Sequence, residues 1–215
     1  MKKFLTYHIL LLFILVTGCE KWYTTEDVSH ISYIPEFILE GGEFISIIRN
    51  DSMEFEDPGA EAFSNGEPLH VYSAGEVDVS EVGVYTIVYA AQNSDGLIGA
   101  AERVVAVTHH DVTNVDVEGT YIGTVWDPVQ ARVKKIDEKG LYECDEVMGF
   151  PGAEMRGRFV ILGNHELVLL HGEGYFGTYA ASEGEYTLST LSWTIFLTEE
   201  PYEGIDIPVI WTKID

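Results

Sequence analysis

From residue 31 onward the apolar residues come in short runs rich in Val, Ile, Tyr and Thr, and turn residues interrupt them at close intervals. Runs at 31–34, 44–48, 69–72, 84–91 and 103–108 predict β-strands, because β-branched and aromatic side chains fit a pleated, half-buried surface. The breaks between them are Glu40-Gly41-Gly42, Asp57-Pro58-Gly59, Asn65-Gly66, Ser73-Ala74-Gly75 and Asn93-Ser94-Asp95-Gly96. Each contains a residue that tolerates positive φ or fixes a turn. Strands spaced in this way over about 80 residues predict a β-sandwich. No amphipathic helix of convincing length competes with it.

A second β region opens with Gly119-Thr120-Tyr121-Ile122-Gly123-Thr124-Val125-Trp126, and further strands are predicted at 131–136, 141–144, 157–162, 167–170, 185–188, 191–197 and 207–214. Alternation is clearest in Thr190-Leu191-Ser192-Trp193-Thr194-Ile195-Phe196-Leu197. Turns recur throughout, which suits a meander or small barrel. Between the two regions a polar stretch carrying Asp111, Asn114 and Asp116 reads as a solvated linker over 110–117. The expected fold is all-β, with a sandwich over 31–109 and a C-terminal β domain over 118–215.

Within the first region, Gly83-Val84-Tyr85-Thr86-Ile87 has the spacing of an immunoglobulin tyrosine corner, with Ile87 where an antibody domain places its second cysteine. Tyr85 is therefore expected to pack and to donate its hydroxyl to nearby backbone. Taken with Asp57-Pro58-Gly59-Ala60-Glu61-Ala62, Asp95-Gly96 and the alternating Ala101, Arg103, Val105 and Val107, the region resembles the bacterial Ig-like domain family first described in pesticidal crystal proteins. That resemblance implies an Ig-like sandwich serving as a spacer or adhesion module, and it leaves the ligand open. In the second region, the Gly119-x-Tyr121-x-Gly123 opening, Lys139-Gly140-Leu141-Tyr142, Leu191-Ser192-Trp193 and Trp211-Thr212-Lys213 resemble the C-terminal β domain of an uncharacterised family. That family pairs such a domain with an Ig-like one in outer-membrane lipoproteins of polysaccharide-utilising bacteria.

Ahead of both regions, Lys2 and Lys3 precede an apolar run at 9–16 that is shorter than the roughly 20 residues needed to span a bilayer. This order predicts a secretory signal over 1–18. Its end, Leu15-Val16-Thr17-Gly18-Cys19, resembles the lipobox of bacterial lipoproteins, which implies that Cys19 becomes the first mature residue and carries lipid. Residues 19–30 hold few aliphatic side chains and read as a tether. The resemblance implies a lipid-anchored outer-membrane protein, on the cell surface or the periplasmic face.

Charge narrows the partners. The chain has 36 acidic against 12 basic side chains and a net charge of −24, and loss of the leader removes Lys2 and Lys3 but no acid. Nucleic acid is excluded, since phosphate binding needs a basic footprint. Anionic lipid heads are repelled as well, so membrane association rests on the acyl chains. With Cys19 acylated, Cys144 has no partner for an intramolecular disulfide, and stability must come from apolar cores.

Catalytic and metal-binding patterns are poor. No nucleophile elbow, Walker loop or dinucleotide fingerprint occurs. Asn93, Asp95, Gly96 and Glu102 follow an EF-hand from its third ligand onward, but Ala91 holds the first ligand position and the flanks are strand-like, so a hairpin turn is the better account. His109-His110-Asp111 offers ligand chemistry, yet adjacent residues on an extended chain point to opposite sides. His165-Glu166 reads as a polar turn. Carboxylate pairs such as Asp145-Glu146 and Glu199-Glu200 are ordinary in so acidic a chain, and nothing in the sequence sets two acids across a cleft. No enzyme activity, metal or cofactor is expected. Asp51-Ser52-Met53 resembles a short O-glycosylation signal of some Gram-negative bacteria.

Aromatic residues carry the functional expectation. Trp126, Tyr175, Phe176, Tyr179, Trp193, Tyr202 and Trp211 crowd the second region. Trp193 and Trp211 sit on strands and are expected in the core. Trp126 and the glycine-rich stretch with Tyr175, Phe176 and Tyr179 are the expected ligand surface, because sugar C–H faces stack on open rings while hydroxyls bond carboxylates. The leading reading is non-catalytic binding of a polysaccharide or oligosaccharide for a surface uptake system, alongside other outer-membrane components. The alternative is a structural or protein-interaction scaffold, and a third is a barrel holding a small apolar ligand. Exposed coplanar rings would favour the first; a large apolar patch without a cleft would favour the second.

Overall fold

The computed structural model describes residues 31–123, 128–152 and 155–215, and these are all-β. Cys19 and Trp126 lie outside the described residues. No α-helix occurs among those described, and none of their helices is long and apolar enough to cross a membrane.

The N-terminal region is sandwich-like. One sheet joins β1 (Glu36–Leu39), β3 (Ala60–Ser64) and β4 (Glu67–Leu69); the other runs β2 (Phe44–Ile48), β7 (Ile98–Thr108), β6 (Gly83–Gln92) and β5 (Tyr72–Ala74), with β2 parallel to β7. Ile87, Tyr89 and Val105 form the core between them, with Phe37, Leu39, Ile45 and Ile47 packed around. The first strand falls at Glu36–Leu39 instead of 31–34. The run at 69–72 is divided, because β4 and β5 belong to different sheets and the chain crosses between them at His70 and Val71.

Two sequence motifs explain the sandwich locally. Tyr85 donates its hydroxyl to the Glu81 carbonyl at 3.0 Å, four residues upstream, as the tyrosine-corner spacing requires. Arg103 is fully buried and serves as the hub of the Asp57-Pro58-Gly59 turn. Its Nε donates to Gly42 O at 3.0 Å, Nη2 to Gly59 O at 3.0 Å and to Glu40 O, and Nη1 to the Tyr89 hydroxyl at 2.6 Å and to Asp57. Tyr89 in turn donates to Asp57 at 2.8 Å, and burial together with that carboxylate pushes its phenol up to about 12. A buried cation is tolerable here because every donor group is met.

The C-terminal region is a closed eight-stranded antiparallel barrel. Its ring runs β8 (Gly119–Gly123), β9 (Val129–Lys135), β10 (Leu141–Cys144), β11 (Gly157–Gly163), β12 (Glu166–Leu169), β15 (Ser182–Tyr186), β16 (Thr190–Leu197) and β17 (Asp206–Lys213), which returns to β8. A hairpin, β13 (Gly172–Gly174) with β14 (Gly177–Ala180), is inserted between β12 and β15. The interior is packed solid, as eight strands allow. Tyr142 stacks on Phe159 at 5.4 Å, Phe159 meets Trp193 at 5.6 Å, and Trp193 meets Trp211 at 6.3 Å. Gly123 makes room for this column, since a Cβ there would stand 2.8 Å from the Trp211 ring. Side chains thus fill the space that a barrel holding an apolar ligand would need.

In the stretch read as a solvated linker, His110, Thr113, Asn114 and Asp116 are exposed while Val112 and Val117 are buried. His110–Asn114 forms a 3₁₀ turn whose Val112 is buried in the barrel core with Val117, while Val115 packs against it. The polar residues that suggested solvent exposure alternate with these valines. A second core joins the sandwich to the outside of the barrel: Val104 and Ala106 of β7 meet Leu141, Val160, Leu162 and Leu170. Strand β7 therefore buries both faces over 103–108, and its near-continuous apolar run has that cause. Polar contacts reinforce the seam, with Thr108 Oγ1 donating to Lys139 O at 3.0 Å, Ser46 Oγ to Asp137, and the Arg158 guanidinium 4.4 Å from the Phe44 ring centroid.

Candidate functional site

The β13–β14 hairpin carries Tyr175 and Phe176 at its tip. Tyr175 is 73% exposed. Phe176 is half-buried against the barrel core, and its ring is met nearly at right angles by Tyr175 (5.0 Å, 79°), Tyr202 (5.1 Å, 87°) and Phe150 (5.6 Å, 87°). Such edge-to-face contacts are favourable, and they fix the exposed ring to the scaffold. Tyr202 arrives on the turn after β16, where its N–H donates to Glu199 O at 2.9 Å. It is 37% exposed.

Polar groups border these rings. The Glu199 carboxylate accepts from Thr178 Oγ1 at 3.0 Å, and Thr178 and Thr198 share a hydroxyl contact at 2.6 Å. Gly177, at φ +94°, lets the acid lie close, because a Cβ there would stand 2.7 Å from Glu199 Oε2. An open ring can stack a sugar face, and a carboxylate with two hydroxyls can exchange hydrogen bonds with sugar hydroxyls.

Tyr179 leaves the expected surface. It is only 2% exposed, its hydroxyl donates to Arg156 O at 3.3 Å, and burial pushes its phenol up to about 12. The physical reason lies in the glycines that suggested openness. Gly172 is the cross-strand partner of Tyr179, and a Cβ on it would fall 2.4 Å from the Tyr179 hydroxyl oxygen. These glycines accommodate a core ring instead of exposing one. Trp193 and Trp211 are buried, as their strand positions predict, and Trp193 Nε1 donates to Val147 O at 2.7 Å. Composition hinted at Tyr202, but its meeting with Phe176 depends on a turn distant in sequence; Phe150, Thr178 and Glu199 went unselected because only tertiary packing gathers them.

Among the described residues, Glu146 is the one buried carboxylate whose environment resembles that of a general acid, since burial raises its pKa. Its oxygens are committed to backbone: Oε1 accepts from Met148 and Gly149 N–H at 2.8 and 2.9 Å, and Oε2 from Met155 N–H at 3.2 Å. It closes the loop whose Val147, Met148 and Met155 cap the barrel core. Cys144 beside it is fully buried, with its thiol donating to Glu146 O and its pKa raised by burial. Asn93 stitches a tight turn, accepting from Asp95 and Leu97 N–H at 3.0 and 2.8 Å. No group of three or more potential metal ligands occurs among the described residues. A separate cleft of about 730 Å³ lies between the start of β6 and the outer face of β12 and β15, with Val82, Val84 and Val168 on its apolar side and Glu166, Glu183 and Glu185 on its acidic side.

An Ig-like sandwich fused to a filled β-barrel, bearing an exposed ring cluster at an inserted hairpin, defines the architecture. Residues 39–107 match the family described as bacterial surface protein, Ig-like domain. No curated protein matches the chain. Among solved structures, the lipoprotein BT2262 from Bacteroides thetaiotaomicron is similar at 21% identity and TM-score 0.36, over 83% of this chain and 100% of that one. The structure of the CBM51-2 in complex with GlcNAc and INT domains from Clostridium perfringens ZmpB is similar at 18% identity and TM-score 0.30, over 66% of this chain and 30% of that one. The M60 catalytic domain of the same ZmpB, with its CBM51-1 and CBM51-2 domains, is similar at 15% identity and TM-score 0.31, over 80% of this chain and 15% of that one.

Proposed function

We propose that the protein is a non-catalytic lipoprotein, anchored in the outer membrane through Cys19, whose barrel binds neutral carbohydrate at the β13–β14 hairpin for an uptake system with other envelope components. The observation that carries the reading is Tyr175, an aromatic ring 73% exposed yet held edge-to-face on Phe176. An apolar ring left in water on a fixed base is poised to stack, at about 0.5–1.5 kcal/mol per contact beyond burial. Binding through so few rings is weak, in the micromolar to millimolar range. No Lys or Arg occurs from Gly172 to Asp206, so the local field disfavours anionic glycans.

Affinity electrophoresis of the whole mature chain against plant, fungal and host glycans tests the proposal, with Tyr175→Ala and Trp126→Ala as controls. Retention on a neutral glycan that Tyr175→Ala abolishes supports it. Absence of retention across the panel, or retention indifferent to both substitutions, shifts the preference to a scaffold. A scaffold draws support from Tyr72, Val88 and Ile98, which leave apolar surface exposed on the sandwich.

A further inference from the structure

We infer that the sandwich rests on the membrane through the end at which the tether arrives, with Ile34, Leu97 and Ile98 entering the lipid interface; this rests on the reading of Cys19 as the lipid anchor. Tyr33, just beyond the tether, is fixed at the β6–β7 turn, where its carbonyl accepts from Asn93 Nδ2 at 2.8 Å and from Ser64 Oγ at 2.8 Å. Pro35 lies against β7 beside that turn, since a Cβ on Gly99 would stand 2.7 Å from the Pro35 carbonyl oxygen. The Asn93 side chain also accepts from Leu97 N–H at 2.8 Å, so the turn and the entering chain are tied together. This end is apolar where turns are ordinarily polar. Ile34 is 66% exposed and Ile98 68%, and Tyr33 and Leu97 are exposed as well. Tyr72 shares the outer sheet face with Ile98, because Tyr72 pairs with Ala90 and Ile98 with Gln92, two residues further along β6.

Connectivity selects lipid as the occupant. Residues 20–30 separate Cys19 from residue 31, and even fully extended they reach about 40 Å at most. The bilayer is therefore held beside this end at high effective concentration, so a contact that is weak by itself is populated. Isoleucine and leucine gain by leaving water for the acyl boundary, and tyrosine suits the headgroup level, where its ring and its hydroxyl both find partners. The segments 33–36, 64–72 and 92–100, which build this end, contain no Lys or Arg, so the contact is apolar and not polybasic. Glu36, Glu67 and Asp95 lie in the same segments and favour zwitterionic over anionic head groups.

The acylated mature chain, purified from membranes and reconstituted in phosphatidylcholine vesicles, tests this with an environment-sensitive fluorophore on Ile98→Cys or on Ile34→Cys. Cys144 is buried and out of the label's reach in the folded chain. Leu188→Cys is the control. Leu188 is as exposed as Ile98 and follows Tyr186, whose carbonyl meets His165 next to Asn164, the partner of His109 at the opposite end of β7. The eleven residues of β7 span about 33 Å. Labels at 98 and 34 should shift to the blue on reconstitution and be quenched by nitroxide-bearing lipid, while the label at 188 does neither. Unshifted labels at 98 and 34, or an equal shift at 188, overturn the membrane contact and leave the anchor intact. A shift seen in whole envelopes but lost in protein-free vesicles gives the surface to a partner protein and overturns the contact as well. A chain that takes up no palmitate at Cys19 overturns the anchor and the contact together. Far-UV circular dichroism establishes that each labelled variant is folded.

Discussion

Replacing Arg103 with Met removes the hub of the sandwich while keeping much of its aliphatic volume. Five acceptors each lose a donor: the carbonyls of Glu40, Gly42 and Gly59, the Tyr89 hydroxyl and the Asp57 carboxylate, of which Gly59 keeps the Glu40 N–H and Asp57 the Tyr89 hydroxyl. Breaking a buried charge pair by removing one member costs about 3–5 kcal/mol. Asp57 retains 25% side-chain exposure, so water can take over part of its solvation and the lower end applies, about 3 kcal/mol. For a chain of this size that corresponds to a fall in Tm of roughly 6–12 °C. The seam makes the outcome more specific. Val104 and Ala106, on either side of Val105, pack against the barrel, so loosening the sandwich should be felt by Trp193 and Trp211. Urea unfolding followed by tryptophan fluorescence and by far-UV circular dichroism should therefore give coincident, shifted transitions. Asp57→Asn should destabilise as well, because it leaves the fully buried Arg103 guanidinium without its counter-charge. A stability of Arg103→Met within about 0.5 kcal/mol of the parent would refute the hub argument, and a fluorescence transition left in place would refute the mechanical coupling of the two regions.

Tyr121 repeats the corner geometry of Tyr85, donating to Val117 O at 2.8 Å, but is fully buried; Tyr121→Phe should cost about 1–2 kcal/mol and Tyr85→Phe about half as much, read from urea midpoints. Tyr89 and Tyr179 hold their protons up to about 12, against an ordinary value of 10.0, so the folded state keeps protons that the unfolded state releases. Their contribution to stability is fully present below pH 10 and is lost as pH rises towards 12. An ultraviolet phenolate titration should show these rings ionising late, together with unfolding; complete ionisation near pH 10 in folded protein would contradict their burial. Cys144 should resist thiol reagents until the barrel opens, because its buried thiol is held in the protonated form, and rapid native-state labelling would count against that. Cys19→Ala should release a soluble exported form, and palmitate incorporation that survives the change would refute lipidation.

Much of the architecture is determined by local pattern. Val, Ile and Tyr runs divided by glycine turns specify strands, and period-two alternation in β16 assigns Trp193 to the core before any fold is known. Gly83-x-Tyr85-x-Ile87 specifies a corner because its hydrogen bond closes within four residues. The asymmetry between local and distant contacts explains what the sequence left open. Arg103, Asp57 and Glu40 meet across spans of 46 and 63 residues, so a charged side chain on a valine strand carries no local sign of its burial. Val112 and Val117 of the polar linker are buried because they join a barrel core that exists only after closure. Tyr179 and Tyr175 occupy the same glycine-rich stretch, yet cross-strand pairing with Gly172 drew one into the core and left the other at the hairpin tip. Register decides which side of a sheet a residue faces, and register depends on partners far away in the chain.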